Sequence, residues 1–192
     1  TDHGATDTFL EITRKRASDL SDADKAFILE NFFLANWDTM VRPFPRYYEL
    51  LVKRGFRVSR TDLSRIIRYF SANDFLDLQV LFNFVWIDPL FRDQDPFLIY
   101  LKTKGGYYTE EEKTLLIEKQ FSILRRIIPK YHELSDSGQI ELSTTPHYHP
   151  ILPLLCDTDS AKMGMPDVRL PKKRFSHPED AKRQIRMSLD YF

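Results

Sequence analysis

The chain has one cysteine, Cys156, and no apolar run close to the length of a transmembrane helix, which is about 20 residues. A single cysteine cannot form an intrachain disulfide, so the fold does not depend on an oxidising compartment. We therefore expect a cytoplasmic protein with no membrane partner. Because the sequence places no base beside Cys156, we interpret it as a buried small apolar residue and not as a nucleophile.

The chain also lacks net charge, because its 28 basic and 28 acidic residues cancel. Surfaces that bind nucleic acids are strongly basic, so we expect no nucleic-acid partner. What the chain does have is a globular composition, with 42% hydrophobic and 14% aromatic residues among 192. A chain of that length is long enough to form one domain with a hydrophobic core.

The two ends of the sequence suggest an excised piece. The chain begins with TDHGATDTF, which has neither an initiator methionine nor the apolar segment of a signal peptide. It closes with RMSLDYF, in a pattern typical of the middle of a helix. We expect an interior segment of a larger protein.

Helical patterns dominate residues 1–137. Ser21 with Asp24, and Thr109 with Glu112, have the spacing of capping boxes and predict two helix starts. The segment 75–87 is apolar almost all round, which predicts a buried helix. An Asp-Pro pair follows it and predicts its end.

The pattern changes after Gly138. Residues 139–144, QIELST, alternate between apolar and polar residues and predict a short strand. Upstream, Pro129 falls late in a long helical pattern and predicts a stop or kink. The expected fold is therefore mainly α, with about six or seven helices and one or two short strands. Since a single strand is not a sheet, it pairs either with a copy of itself or with strands outside this chain.

Polar side chains crowd into residues 138–150, GQIELSTTPHYHP. Glu141 lies on the predicted strand, and His147 and His149 follow it, at the place where barrel and open-sheet enzymes put their chemistry. Two interpretations stay open, a substrate-binding cluster or a hydrogen-bonded loop without a ligand. The two histidines with Glu141 or Asp157 also resemble metal ligands. Because no further ligand stands at a recognised spacing, we expect neither a metal nor a cofactor.

Two tryptophans each end a predicted helix shortly before an aspartate. Tryptophan beside a carboxylate suits a sugar, because the ring stacks on the pyranose face and the carboxylate accepts hydrogen bonds from hydroxyl groups. For Trp37 core packing is the favoured interpretation. For Trp86 with Asp88, core packing and sugar binding both stay open.

Four stretches, in this order, resemble glycoside hydrolase family 57, the group of α-amylases, amylopullulanases, 4-α-glucanotransferases and branching enzymes. They are ENFFLANWDTMVRPFPRYYELL, DFLDLQVLFNFVWIDP, GQIELSTTPHYHPILPLLCDT and FSHPEDAKRQIRMSLDYF. The resemblance runs from about Phe9 to Phe192. It implies an incomplete (β/α)7 barrel in which 1–137 is a helical insert and 138–192 is a barrel strand, its active-site loop and the next helix.

The resemblance implies a retaining enzyme acting on α-1,4 or α-1,6 bonds of an α-glucan or maltooligosaccharide, with a Glu nucleophile and an Asp acid/base about 5–5.5 Å apart. No residue of this chain matches that pair or the family's His-Gln-Pro signature. We therefore expect the isolated chain to be inactive.

The residues carried over by the resemblance are substrate contacts. Glu141 matches a glutamate that lines the substrate cleft, and His147 and His149 match the loop after it. Trp86 and Asp88 fall on the helical insert. The alternative is a non-catalytic helical binding or interaction module related to these enzymes. An unpaired strand also predicts self-association of the chain.

Overall fold

The computed structural model describes residues 6–191, apart from the side chain of Arg60. The chain divides into two compact units, Thr1–Ile127 and Ile128–Phe192, which we call the helical unit and the C-terminal unit. The α-helices are α1 (Thr8–Arg14), α2 (Asp22–Asn31), α3 (Pro45–Arg54), α4 (Arg60–Ile66), α5 (Ala72–Val85), α6 (Pro89–Arg92), α7 (Pro96–Lys104), α8 (Glu110–Leu124), α9 (Ile127–Asp136), α10 (Leu152–Cys156), α11 (Ala161–Gly164) and α12 (Pro178–Tyr191).

A mainly α fold is thus confirmed, but residues 6–191 contain twelve α-helical segments and not six or seven. The difference arises because prolines and capping residues divide the chain into short helices such as α6, α10 and α11. The predicted stop near Pro129 falls slightly earlier, between the end of α8 at Leu124 and the start of α9 at Ile127. None of the helices in the described part of the chain is long and apolar enough to span a membrane.

Local capping chemistry explains where the main helices begin. The Ser21 hydroxyl accepts the Asp24 N–H at 3.2 Å, and the Asp24 carboxylate accepts the Ser21 N–H at 3.0 Å. Thr109 and Glu112 make the same reciprocal pair, with distances of 3.2 and 2.7 Å. Each pair satisfies two backbone groups that a helix start leaves free. Both predicted capping boxes are confirmed.

Helix α5 is the centre of the helical unit. Leu78, Val80 and Leu81 are fully buried on it, and α2, α3 and α8 pack around it. Burial on all sides matches its lack of a polar face, so the predicted buried helix is confirmed. It ends at Val85, as expected from the Asp-Pro pair that follows.

Two carboxylates on this buried helix are compensated by two cations of α3, Arg46 and Lys53, and Lys53 Nζ lies 2.8 Å from Asp74 Oδ2. Arg46 donates from Nε to Asp77 Oδ2 at 2.7 Å and from Nη2 to Asp74 Oδ1 at 2.6 Å. The second oxygen of Asp77 accepts the Tyr108 N–H at 3.0 Å. Because a buried charge is stable only when it is paired and hydrogen-bonded, this network fixes α3 against α5.

A second buried network joins the start of the chain to α5 and α8. Gln79 donates from Nε2 to the Ile12 carbonyl at 2.8 Å and accepts from Lys113 Nζ at 3.0 Å. Lys113, which is 1% exposed, also pairs with Glu110 at 2.8 Å. The ammonium group is therefore compensated although it lies in the core.

The strand predicted over 139–144 does not form among the described residues. A strand exists only when its backbone groups bond to a neighbouring strand, and no such neighbour is present in residues 6–191. The Gln139 N–H instead bonds back to the Leu134 carbonyl at 3.0 Å. At the other end, the hydroxyls of Thr144 and Ser188 share a hydrogen bond of 2.8 Å, which ties the segment to α12.

The C-terminal unit has a small core. Helix α12 packs on α10, and Ala181 and Ser188 are the buried residues of the unit among those described. Cys156 is exposed, so its interpretation as a buried apolar residue is wrong. With so few apolar side chains buried in this unit, the end of α10 stays open to solvent.

The Arg46 network predicts a large loss of stability for Arg46→Met. This substitution leaves the carboxylates of Asp74 and Asp77 buried without their guanidinium partner. We expect urea denaturation to show a loss of about 3–5 kcal/mol in the free energy of unfolding. Arg65→Met is the matched control, since its 73% exposed side chain pairs with Asp62 at 3.7 Å, and it should cost less than about 1 kcal/mol. Equal losses in the two variants would contradict the assignment.

The same network predicts a dependence of stability on pH. Burial alone would raise the pKa of Asp74, but hydrogen bonds from Lys53, the Ser71 backbone and Arg46 outweigh it and lower that pKa from 3.8 to about 2. The carboxylate therefore stabilises the fold fully above the unfolded-state pKa, and this contribution disappears as pH falls through the folded-state pKa. Asp74→Asn should be less stable than the unmodified chain by a constant amount above about pH 4, and that difference should shrink towards about pH 2. Urea titrations of both proteins across this range test it, and a difference that grows on acidification would disprove it.

Candidate functional site

Trp86 and Asp88 line one groove of the helical unit, which has a volume of about 440 Å³. That volume lies within the range of small-molecule sites, which is roughly 300–1,000 Å³. The first turn of α1, the ends of α5 and α8, and α6 form its walls. The aromatic and polar side chains that line it are Asp7, Phe9, Asn83, Trp86, Asp88, Phe91, Gln120 and Phe121.

Trp86 is the most accessible aromatic ring of this groove. It forms the C-cap of α5 and is 58% exposed. Its indole N–H has no hydrogen-bond partner among the described residues. The ring therefore presents an apolar face and an unused donor to solvent, which are the two features that suit an amphipathic ligand.

Asp88 owes its position to the helix that it caps. One carboxylate oxygen accepts the Leu90 N–H at 2.8 Å and so starts α6, with Pro89 as the first helical residue. The side chain is exposed and makes no ion pair within residues 6–191. Its second oxygen is thus available to a ligand.

Amide side chains stabilise the floor of the groove. Asn83 donates from Nδ2 to the Gln79 carbonyl at 2.8 Å and to Thr13 Oγ1 at 3.1 Å. Gln120 donates from Nε2 to the Asn83 carbonyl at 3.1 Å. These bonds orient both amides, since each nitrogen already has a backbone acceptor.

The other tryptophan belongs to the core of the helical unit. Trp37 donates its Nε1–H to the Phe33 carbonyl at 3.0 Å, and its ring lies 5.8 Å from that of Phe56. It is half-buried against the hydrophobic cluster. Core packing, the favoured interpretation for Trp37, is confirmed.

In the C-terminal unit, the predicted cluster is a solvent-exposed loop. The His147 N–H donates to the Gln184 carbonyl at 3.2 Å, and the Tyr148 N–H donates to Gln184 Oε1 at 2.8 Å. The His149 N–H closes a turn on the Pro146 carbonyl at 2.8 Å, with φ at 58°. One glutamine of α12 thus holds the loop, and both imidazoles face solvent.

Glu141 lies on the non-helical segment before this loop. Its carboxylate is exposed and makes no hydrogen bond or ion pair within the described part of the chain, so it contacts neither His147 nor His149. No three His, Cys, Asp or Glu side chains among the described residues come together as a metal-ligand set. Asp157, the other carboxylate considered as a ligand, is bound instead to Arg174, whose hydrogen bonds lower the pKa of Asp157 to about 2.

Asp7 and Gln120 also line the groove, although neither was predicted as a site residue. Asp7 accepts the Leu10 N–H at 3.2 Å as the N-cap of α1, and Gln120 interrupts the apolar stripe of α8. Asp7 stands directly before the helical segment TFLEITR, so its position as a helix cap could have been predicted from the sequence. Nothing local predicts that the start of α1 and the end of α8 meet beside Trp86.

A sequence profile of the family described as Glycosyl hydrolase family 57 matches residues 10–192. No curated protein sequence and no solved structure matches the chain significantly. The matched range contains all five predicted site residues, from Trp86 to His149. The chain therefore belongs to glycosyl hydrolase family 57, a family of glycoside hydrolases.

Proposed function

We propose that the protein acts on α-glucans with α-1,4 or α-1,6 bonds, by a retaining mechanism. In such a mechanism, a carboxylate forms a glycosyl-enzyme through an oxocarbenium-like transition state, and a second carboxyl group acts first as acid and then as base. The observation that supports this proposal most is the family match over residues 10–192. This chain contributes substrate contacts, and the nucleophile and the acid/base have no counterpart among its residues.

We further propose that residues 1–137 are a helical insert of an incomplete (β/α)7 barrel. Residues 140–144 belong to no helix and have no strand partner among the described residues. Such a segment suits a barrel strand whose neighbours lie outside this part of the chain. The loop after it then has the position where barrel enzymes bind substrate.

Glu141, His147 and His149 are the proposed substrate contacts of the C-terminal unit. An exposed carboxylate accepts hydrogen bonds from sugar hydroxyls, and a neutral imidazole both donates and accepts. None of these three side chains is used in an internal ion pair among the described residues. They are therefore free to bind a polyhydroxylated ligand without breaking the fold.

Trp86 and Asp88 are the proposed substrate contacts of the helical unit. The exposed ring provides a stacking surface, and the unused oxygen of Asp88 provides an acceptor. This pair combines the apolar and polar recognition that a pyranose requires.

A second candidate function is a helical binding module without chemistry of its own. One observation favours it, namely that the helical unit has a complete core and a groove of its own. The DNA sequence that follows the codon for Phe192 distinguishes the two functions. A reading frame that continues into a segment with the nucleophilic glutamate supports the enzyme, whereas a stop codon directly after Phe192 supports the binding module.

We predict that the purified 192-residue chain binds maltoheptaose but does not cleave or transfer it. Turnover requires both carboxyl groups of a double displacement, which this chain does not supply. Glu141→Gln should weaken binding about five- to tenfold, because it removes a charged acceptor of hydroxyl hydrogen bonds. Calorimetry measures the binding, and chromatography of the reaction mixture measures the products.

The matched control for this experiment is Glu179→Gln, which changes an exposed glutamate of α12 that pairs with Lys182. It should leave the affinity for maltoheptaose unchanged. New oligosaccharides in the mixture would disprove the assignment of catalysis to residues outside the chain. Equal affinity of the Glu141 variant and the unmodified chain would remove Glu141 from the substrate site.

We also propose that the isolated chain self-associates. Large apolar side chains of the C-terminal unit are exposed, among them Ile128 at 65%, Ile151 at 67%, Met163 at 91% and Leu189 at 63%. These side chains and the unpaired segment 139–144 would gain free energy by contact with another copy. Light scattering should show a dimer or larger species at high protein concentration. A single monomeric species over the whole concentration range would rule this out.

A further inference from the structure

We propose that the groove of the helical unit is a binding site for one or two neutral pyranose rings, with Trp86 as the stacking surface. This inference rests on the proposed action on α-glucans and adds the size, shape and charge selectivity of one site. Its volume of about 440 Å³ lies in the lower part of the range for small-molecule sites. A short oligosaccharide segment fits such a volume better than a long chain.

Two of the rings around the groove contact guanidinium groups. The guanidinium of Arg14 lies 5.4 Å from the ring centroid of Phe121, and that of Arg126 lies 5.4 Å from that of Phe91. Cation–π contacts of this kind hold a ring in one orientation. The walls are therefore organised before a ligand arrives, which reduces the entropy cost of binding.

Trp86 differs from these two phenylalanines. It makes no ring contact with another aromatic or cationic side chain among the described residues, and it is 58% exposed. Its apolar surface is thus covered only when a ligand lies on it. The apolar C–H face of a pyranose covers such a ring and leaves the hydroxyl groups at its edge.

The polar groups at the groove require a ligand that donates hydrogen bonds. Asp7 and Asp88 each use one oxygen to cap a helix, and Gln120 leaves Oε1 without a partner within residues 6–191. An apolar peptide side chain placed there would remove these acceptors from water without replacing their hydrogen bonds, which is unfavourable. Sugar hydroxyl groups can donate to these acceptors and so replace the hydrogen bonds that water makes.

The charge of the lining selects neutral ligands. None of the described residues that line the groove is Lys, Arg or His, whereas two of them are aspartates. A phosphorylated sugar would bring its anion next to these carboxylates, and the nearby guanidinium groups of Arg14 and Arg126 contact lining rings but do not themselves line the groove. The site should therefore accept maltose and reject maltose 1-phosphate.

The test uses the full 192-residue chain with Trp37→Phe, which leaves Trp86 as its one tryptophan. Maltotriose should change the Trp86 fluorescence in a saturable way. Maltose 1-phosphate should bind at least about tenfold more weakly than maltose. Equal affinity for these two sugars would overturn the proposed selectivity for neutral ligands.

Two variants test whether maltotriose binds in the groove. Calorimetry measures the affinity of each variant for maltotriose. Trp86→Ala should weaken binding about tenfold or more, because the stacking surface is lost. Asp88→Ser keeps a residue that caps α6 but removes the carboxylate, and it should weaken binding several-fold. The control is Tyr69→Ala, which removes a 66% exposed ring outside the groove and should have no effect.

The outcomes separate this inference from the proposed function. If maltotriose binds equally well to the Trp86 and Asp88 variants but more weakly to Glu141→Gln, the groove is not a sugar site and the proposed function stands. If no maltooligosaccharide binds to the unmodified chain, the proposed function itself fails. A urea denaturation curve for each variant confirms that the protein tested is folded.

Discussion

The burial of α5 on all sides is the constraint on which the helical unit depends. A helix inside the core has no solvent-facing side, so each of its polar residues needs a partner from another element. Asp77 obtains Arg46 from α3, Gln79 obtains Lys113 from α8, and Asn83 bonds to Thr13 of α1. These partners are specific in position, so they fix which helices surround α5 as well as neutralising its polar groups.

The groove is a direct consequence of this arrangement. Because the buried helix ends at Val85, the next residue, Trp86, emerges from the core while its backbone is still held by α5. The elements fixed around α5 then supply the walls, and Gln120 of α8 bonds to the Asn83 carbonyl. The same contacts that stabilise the core therefore position a candidate sugar site, without a flexible loop between them.

The C-terminal unit uses a different principle. It buries little apolar surface of its own, and its predicted substrate loop is held by side chains of α12, chiefly Gln184 and Ser188. Backbone hydrogen bonds consume the donors of the loop and leave the side chains of Glu141, His147 and His149 exposed. A family 57 chain thus presents polar groups on one unit and an aromatic groove on the other.

Local sequence patterns were enough to predict features that depend on neighbours three or four residues away, such as the capping boxes at Ser21 and Thr109 and the buried character of α5. It also predicted the family, because long stretches of residues agree with it in order. Three features became visible in the folded chain alone: 139–144 has no strand partner among the described residues, Cys156 is exposed, and Gln120 lies in the groove with Trp86. The physical reason is that pairing, burial and pocket formation depend on residues far apart in the chain, and no local pattern of side chains specifies which of them meet.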